Sequence, residues 1–404
     1  MQTKRRHLFS KVNISGLIIT AAFIGPGTVT TATLVGAQSA YQLVWLLVFA
    51  VGATYILQEM ASRLGQASQQ GLSQAIMNSL PPVLLKGIIG LLIIIAIGIG
   101  NAAYEGGNIT GAALGLSSSI GGSITTWVLI LGISAIGLLV SAKYKLVEKF
   151  LVALVALMSL VFITLMFYAG VNYALLAEGL TVDVAAFSQW SLALAIIGTT
   201  IVPYNLFLHA GLSAKQAKQL PTNNIQRGLN TSLLASIGLG GLVTFAILSS
   251  SVTAFFVTST AVTNGNIGQQ LQPLLGDSAN LIFGLGLFSA GLTSAITAPL
   301  AAAYAIAGIF NWQAKLSDKR FLAIALSIVV LGMFSASLGF KPLSLIILAQ
   351  TANALLLPIS VILLVWVCNK PNLMGKCTNT VVTNVLALIV VVLVLVLAGA
   401  KLLN

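Results

Sequence analysis

Two short stretches of this chain join residues that break a helix to residues that can bind a solute. One reads Gly25-Pro26-Gly27-Thr28, the other Thr199-Thr200-Ile201-Val202-Pro203-Tyr204-Asn205. Proline removes a backbone donor and clashes with the preceding turn, and glycine tolerates non-helical angles. Half-helices that begin near Thr28 and Tyr204 point unpaired N–H groups into the break, where their partial positive charge favours anions. Thr28, Thr30, Thr31, Thr199, Thr200, Tyr204 and Asn205 add neutral donors. A divalent cation asks for different chemistry: carboxylate and carbonyl oxygens if hard, thioether sulfur if softer.

A second set of residues carries charge or titrates. Glu105 and Asn108 lie three apart in the third apolar run. A carboxylate at membrane depth is costly and is a functional candidate, here for a coupling proton or Na⁺; the alternative is a structural pair with a buried basic or polar group. His209 follows the second break, in a gating or proton role or as a hydrogen-bonded packing residue. Gln350 and Asn353 face a cavity or serve helix packing. Glu59 and Arg63, four apart, read as an interfacial ion pair. Asp183 and Asp277 fall in solvated connections, and His7 in a basic tail. Cys368 and Cys377 have no metal-ligand spacing and suggest no disulfide framework. No nucleophile–base set, phosphate loop or Cys/His cluster is present, so neither an enzyme nor a cofactor is expected.

The elements that must hold these residues follow from composition. Of 404 residues, 58% are hydrophobic and 6% charged, against about 25% charged in soluble proteins. Apolar runs of spanning length recur without the strict alternation of a β-barrel. The spacing predicts eleven membrane helices at roughly 13–36, 40–63, 84–116, 122–142, 146–170, 190–212, 228–256, 278–310, 320–338, 343–367 and 380–402. The first reads as a membrane helix rather than a signal peptide, because no small-residue cleavage site follows it. The third, seventh and eighth are long enough to tilt or project into water.

With the N-terminus in the cytoplasm, all of the 19 lysines and arginines except Lys341 and Lys401 fall on the inner side. The net charge of +12 is then a topology signal and no sign of a nucleic-acid partner. The expected location is a bacterial inner (plasma) membrane. Each break is flanked by about ten or more apolar residues, near the bilayer midplane, where irregular backbone is tolerated only inside protein or beside water. Either proline alone reads as a kink. Interruptions at matched places in the first and sixth helices mark an inverted repeat and a substrate site. The chain is therefore expected to be one all-α transmembrane domain, 1–404, with repeats at about 13–170 and 190–367 and a further helix at about 380–402.

Several motifs, in order, resemble the Nramp family of proton-coupled divalent-metal transporters. Gly16 to Trp45, ending Gly36-Ala37-Gln38-Ser39-Ala40-Tyr41-Gln42-Leu43-Val44-Trp45, is similar to its first helix and exit. Gly111-Ala112-Ala113-Leu114-Gly115-Leu116 resembles the end of its third, and Tyr144-Lys145-Leu146-Val147-Glu148-Lys149 the start of its fifth. Pro203-Tyr204-Asn205-Leu206-Phe207-Leu208-His209 resembles its sixth, Ser289-Ala290-Gly291-Leu292-Thr293-Ser294 its eighth, and Leu348-Ala349-Gln350 its tenth. The resemblance implies a LeuT-type fold of five plus five helices and an eleventh, with helices 1 and 6 broken.

The departures are specific. The family's first helix carries Asp-Pro-Gly-Asn, whose Asp and Asn bind the metal; here the positions are Gly25, Pro26, Gly27 and Thr28. Its sixth carries Met-Pro-His; here these are Val202, Pro203 and Tyr204. A family Asp and Glu three apart in the third helix become Glu105 and Asn108, and the tandem basic pair of the ninth persists as Lys319 and Arg320. Gly25, Gly27, Thr28, Thr30, Thr31, Thr200, Val202, Tyr204, Asn205 and Gln350 are thus the expected substrate site, and Glu105, Asn108, His209, Lys319 and Arg320 the coupling-ion or proton path. Hydroxyls and carbonyls alone do not desolvate a doubly charged ion. The expected cargo is a small inorganic anion, bicarbonate above all, or a polar solute, moved by alternating access with H⁺ or Na⁺. The alternatives are a divergent importer of Mn²⁺, Mg²⁺ or Fe²⁺ and, in another class, a transporter-derived sensor or scaffold.

Overall fold

The computed structural model describes residues 24–81, 83–141, 144–181, 189–219 and 230–403. The N-terminal half of the first expected span, the basic tail with His7, and Asp183 lie outside them. Helix α1 is Pro26–Ser39, α2 Val44–Ser68, α3 Leu72–Ser79 and α4 Val83–Ile93; α5 is Gly100–Ile120, α6 Ile124–Ser141, α7 Tyr144–Ala169 and α8 Tyr173–Gly179. After these come α9 Trp190–Thr200, α10 Pro203–Gln219, α11 Thr231–Ser251, α12 Ala279–Ile309, α13 Lys319–Ala336, α14 Pro342–Cys368 and α15 Val381–Leu403. A π-helical turn at Val252–Phe256 extends α11, and short 3₁₀ and α turns lie at 267–278 and 371–377.

Among the described residues, 10 helical segments are long and apolar enough to cross a membrane. Each falls on one of the second to eleventh expected spans. α4 and α5 form one crossing, joined by a π-helical turn at Ile94–Ile99 that hydropathy gave no reason to expect. The outer face is apolar: Leu388 and Val392 on α15, Phe334 on α13 and Leu160 on α7 are exposed. In water that surface would be costly, whereas against lipid tails it is matched. This is an integral membrane protein.

Packing divides the molecule in two. One apolar cluster joins α5, α6, α12 and α13 through Ile109, Val128, Ala295 and Val329. The larger joins α1, α2, α9, α10, α11, α14 and α15 through Val35, Leu57, Ile197, Phe207, Ile247, Leu357 and Val394. Helices α5 and α12 touch backbone to backbone. A Cβ on Gly115 would lie 2.5 Å from the Gly284 carbonyl oxygen and 2.7 Å from the Phe288 nitrogen, and one on Gly291 2.7 Å from the Asn108 carbonyl oxygen. Small residues permit such approach where no hydrophobic force drives helices together.

Candidate functional site

The second break is present among the described residues, and it meets the start of α1. Gly25 is extended (φ −92°, ψ 175°) and caps α1, with Pro26 in the first turn, where its missing donor costs nothing. α9 ends at Thr200, Ile201 leaves the helix (φ −104°, ψ 81°), and α10 starts at Pro203. The Thr28 and Thr199 hydroxyls lie 2.9 Å apart, so one hydrogen bond ties the start of one half-helix to the end of another. The Thr54 hydroxyl on α2 shares its one proton between the Ala50 carbonyl of its own helix at 2.7 Å and the Thr200 carbonyl at 3.0 Å, one of the acceptors the break exposes.

α14 closes the other side. A Cβ on Gly27 would run into the Gln350 amide and stand 3.0 Å from its Oε1. That Oε1 is buried with no hydrogen-bond partner. Tyr104 of α5 packs on Tyr204 of α10 with ring centroids 5.3 Å apart and planes tilted by 60°. Val202 and Asn205 are buried beside them.

Other expected donors are used differently. The Thr200 hydroxyl returns to the Ile196 carbonyl at 2.7 Å, so it braces its own helix and does not add a donor to the break. Thr30 and Thr31 are buried with unpartnered hydroxyls within the first two turns of α1. Asn353 is buried, and its amide nitrogen has no partner.

The charged residues do not form one chain of contacts. Glu105 is fully buried; Asn108 donates to its Oε2 at 3.3 Å, and its Oε1 has no partner. Its side chain packs on α13, where a Cβ on Gly332 would lie 2.5 Å from the Glu105 Cγ. Lys319 and Arg320 sit at the exposed start of that same helix. Arg320 is about 18 Å along it from Gly332, at 1.5 Å per residue. It pairs with Asp318 at 3.1 Å and lies 4.8 Å over the Trp312 ring. Hydrogen bonds from Arg320 hold the Asp318 carboxyl below its ordinary value. The expected grouping of this pair with Glu105 is therefore not what the fold builds. His209 is also apart: its Nδ1 is 2.8 Å from the Gln58 Oε1, between α10 and α2. Glu59 and Arg63 do pair, at 2.9 Å, and Arg63 also binds the Asn379 side chain at 3.0 Å and the Cys377 carbonyl.

Two residues beside the break escaped the sequence reading. Ser294 on α12 and Tyr104 on α5 bring their hydroxyls within 3.2 Å and 3.4 Å of where a Cβ on Gly25 would stand. The available signal was weak: Ser294 closes a small-residue motif and Tyr104 precedes Glu105.

Over residues 16–404 the chain matches the Nramp family, described as natural resistance-associated macrophage protein-like. The divalent metal cation transporter MntH of Acidiphilium cryptum is 26% identical over 379 residues, 92% of this chain and 85% of that one. The solved structure of a manganese transporter from Eremococcus coleocola superposes with a TM-score of 0.71 at 21% identity, covering 95% of this chain and 84% of that one. MhsT in complex with L-phenylalanine superposes at 0.59 and 17% identity, covering 95% and 97%. These structural likenesses give the fold, the expected LeuT type. On cargo, the names of the relatives side with the divalent-cation alternative and lend the anion no support.

Proposed function

The chain belongs to the Nramp family, and from that premise we propose that this secondary transporter carries a small oxyanion, with bicarbonate the leading case, by alternating access coupled to H⁺ or Na⁺. One observation carries the reading. Where the two broken helices meet, the groups are the neutral hydroxyls of Thr28 and Thr199, the Gln350 amide, the Val202 side chain and two helix N-termini. No group of three His, Cys, Asp or Glu that could hold a metal ion occurs among the described residues. Such a neutral set does not repay the dehydration of a doubly charged cation, whereas N–H and O–H donors suit a single negative charge.

Glu105 is the coupling site in this reading. It is a buried carboxylate whose Oε1 has no partner, and no cation pairs with it among the described residues. Carrying H⁺ or Na⁺ there would offset the charge that an anion brings.

A second reading has its own support: the named relatives are divalent metal cation transporters. In it, a Mn²⁺-class ion would bind through backbone carbonyls and hydroxyls. Uptake into proteoliposomes under defined H⁺ and Na⁺ gradients separates the two. The proposal expects labelled bicarbonate to accumulate and Mn²⁺ to stay out. Mn²⁺ accumulation without bicarbonate would establish the second reading and end the first.

A further inference from the structure

The N-cap of α1 faces two hydroxyl donors carried by neighbouring helices. Gly25 has no side chain, and among the described residues beyond its chain neighbours the atoms within 4 Å of its Cβ position are two hydroxyl oxygens. These are Ser294 Oγ at 3.2 Å and Tyr104 Oη at 3.4 Å. They come from α12 and α5, the pair that touches backbone to backbone, while Gly25 caps α1.

Ser294 is the informative member. It is 1% exposed, and its hydroxyl has no hydrogen-bond partner. Its neighbours on α12 behave otherwise: Ser289, Thr293 and Thr297 each return the hydroxyl to the carbonyl one turn earlier. A buried donor left without a partner is costly. This one points at the start of α1, where the first backbone N–H groups also have no intrahelical acceptor.

We infer that Ser294, with Tyr104 beside it, is an oxyanion subsite: one oxygen of the cargo sits at the N-cap of α1, accepting from the Ser294 hydroxyl and from the first free N–H groups of that helix. The inference rests on the anion reading and deepens it. Glycine at 25 is required because a Cβ there would stand 3.2 Å from the Ser294 oxygen and 3.4 Å from the Tyr104 oxygen, crowding the two donors the cargo must reach. The unpartnered Gln350 Oε1 beside Gly27 supplies an acceptor for a cargo O–H, which bicarbonate has and a halide lacks. The subsite thus selects a protonated oxyanion over a simple anion.

The test uses the full-length protein in proteoliposomes with labelled bicarbonate, and thermal unfolding in detergent with and without sodium bicarbonate. For S294A the expected result is a KM raised about tenfold, as befits loss of one hydrogen bond to a charged group. Its Vmax should stay within about twofold and its unliganded melting temperature unchanged, with the bicarbonate-induced rise in melting temperature lost. G25A places a methyl group against the Ser294 and Tyr104 hydroxyls and should abolish uptake; it carries the test alone if S294A does not fold. Wild-type uptake of bicarbonate with unaltered KM in both variants would overturn the subsite and leave the anion reading standing. Wild-type uptake of Mn²⁺ without bicarbonate would overturn both.

Discussion

Gly198 offers a test in which one methyl group decides between two structures of the break. It lies in α9, two residues before the helix ends, and α14 crosses it without a gap. A Cβ there would fall inside contact distance of the Gln350 carbonyl oxygen and 2.9 Å from both the Ala354 nitrogen and the Gln350 carbonyl carbon. Ordinary contacts sit near 3.5 Å, so the carbonyl oxygen, the nearest atom, would require α9 and α14 to part by about 1.5 Å. Neither helix can yield by a rotamer change, because the atoms struck are backbone. Overpacking of this kind costs about 1–3 kcal/mol. Gly238 in α11 is the control: nothing lies within 4 Å of its Cβ position, so G238A should stabilise by up to about 1 kcal/mol through helix propensity. The same substitution is therefore expected to have opposite signs, separated by about 1–4 kcal/mol. Titration of the purified protein from mild detergent into dodecyl sulfate measures both. Uptake should fall with G198A as well, because the displaced carbonyl belongs to Gln350. A G198A protein as stable as G238A would refute the close crossing, and with it the placement of Gln350 beside Gly27.

Three further predictions concern other contacts. E105Q should unfold as wild type does, since Asn108 can still bond to residue 105, yet lose uptake driven by the cation gradient; full activity with unaltered cation dependence would remove Glu105 from coupling. A double-mutant cycle over T28V and T199V should return a coupling energy of about 0.5–1.5 kcal/mol in unfolding, and a value indistinguishable from zero would mean that the two half-helices are not joined there. R63M should cost about 2–3 kcal/mol, because it removes the Glu59 pair and strips the Cys377 carbonyl and Asn379 of their donor; an effect below about 0.5 kcal/mol, the range of ordinary surface changes, would place Arg63 in solvent.

The ten described spans were legible because each is a local sum of hydropathy, and the start of α1 at Pro26 and the break before Pro203 because proline writes its consequence at its own position. The Glu59–Arg63 pair was legible for a similar reason, being one helical turn long. What failed was anything set by a neighbour far along the chain. Thr200 is the exception, a local failure: it has the composition of a donor, but its hydroxyl closes on the Ile196 carbonyl one turn earlier. Ser294 and Gly25 are brought together only when α12 packs beside α1, and no pattern in either segment announces it. Lys319 and Arg320 share a helix with Gly332, yet axial distance separates them from Glu105; adjacency in a motif said nothing about reach. The relatives' names and the residues at the break also point to different cargos, and only flux decides between them.

The glycine contact between α5 and α12 bears on how the protein is made. Gly115 and Gly284 are distant in sequence, and neither can pack until the other has entered the bilayer. At about 5–20 residues per second, translation leaves α5 waiting on the order of ten to thirty seconds for its partner. During that interval its glycine groove, with Glu105 two to three turns away, faces lipid or a chaperoning insertase. Chains that end before α12 should therefore be the ones that a membrane protease finds first.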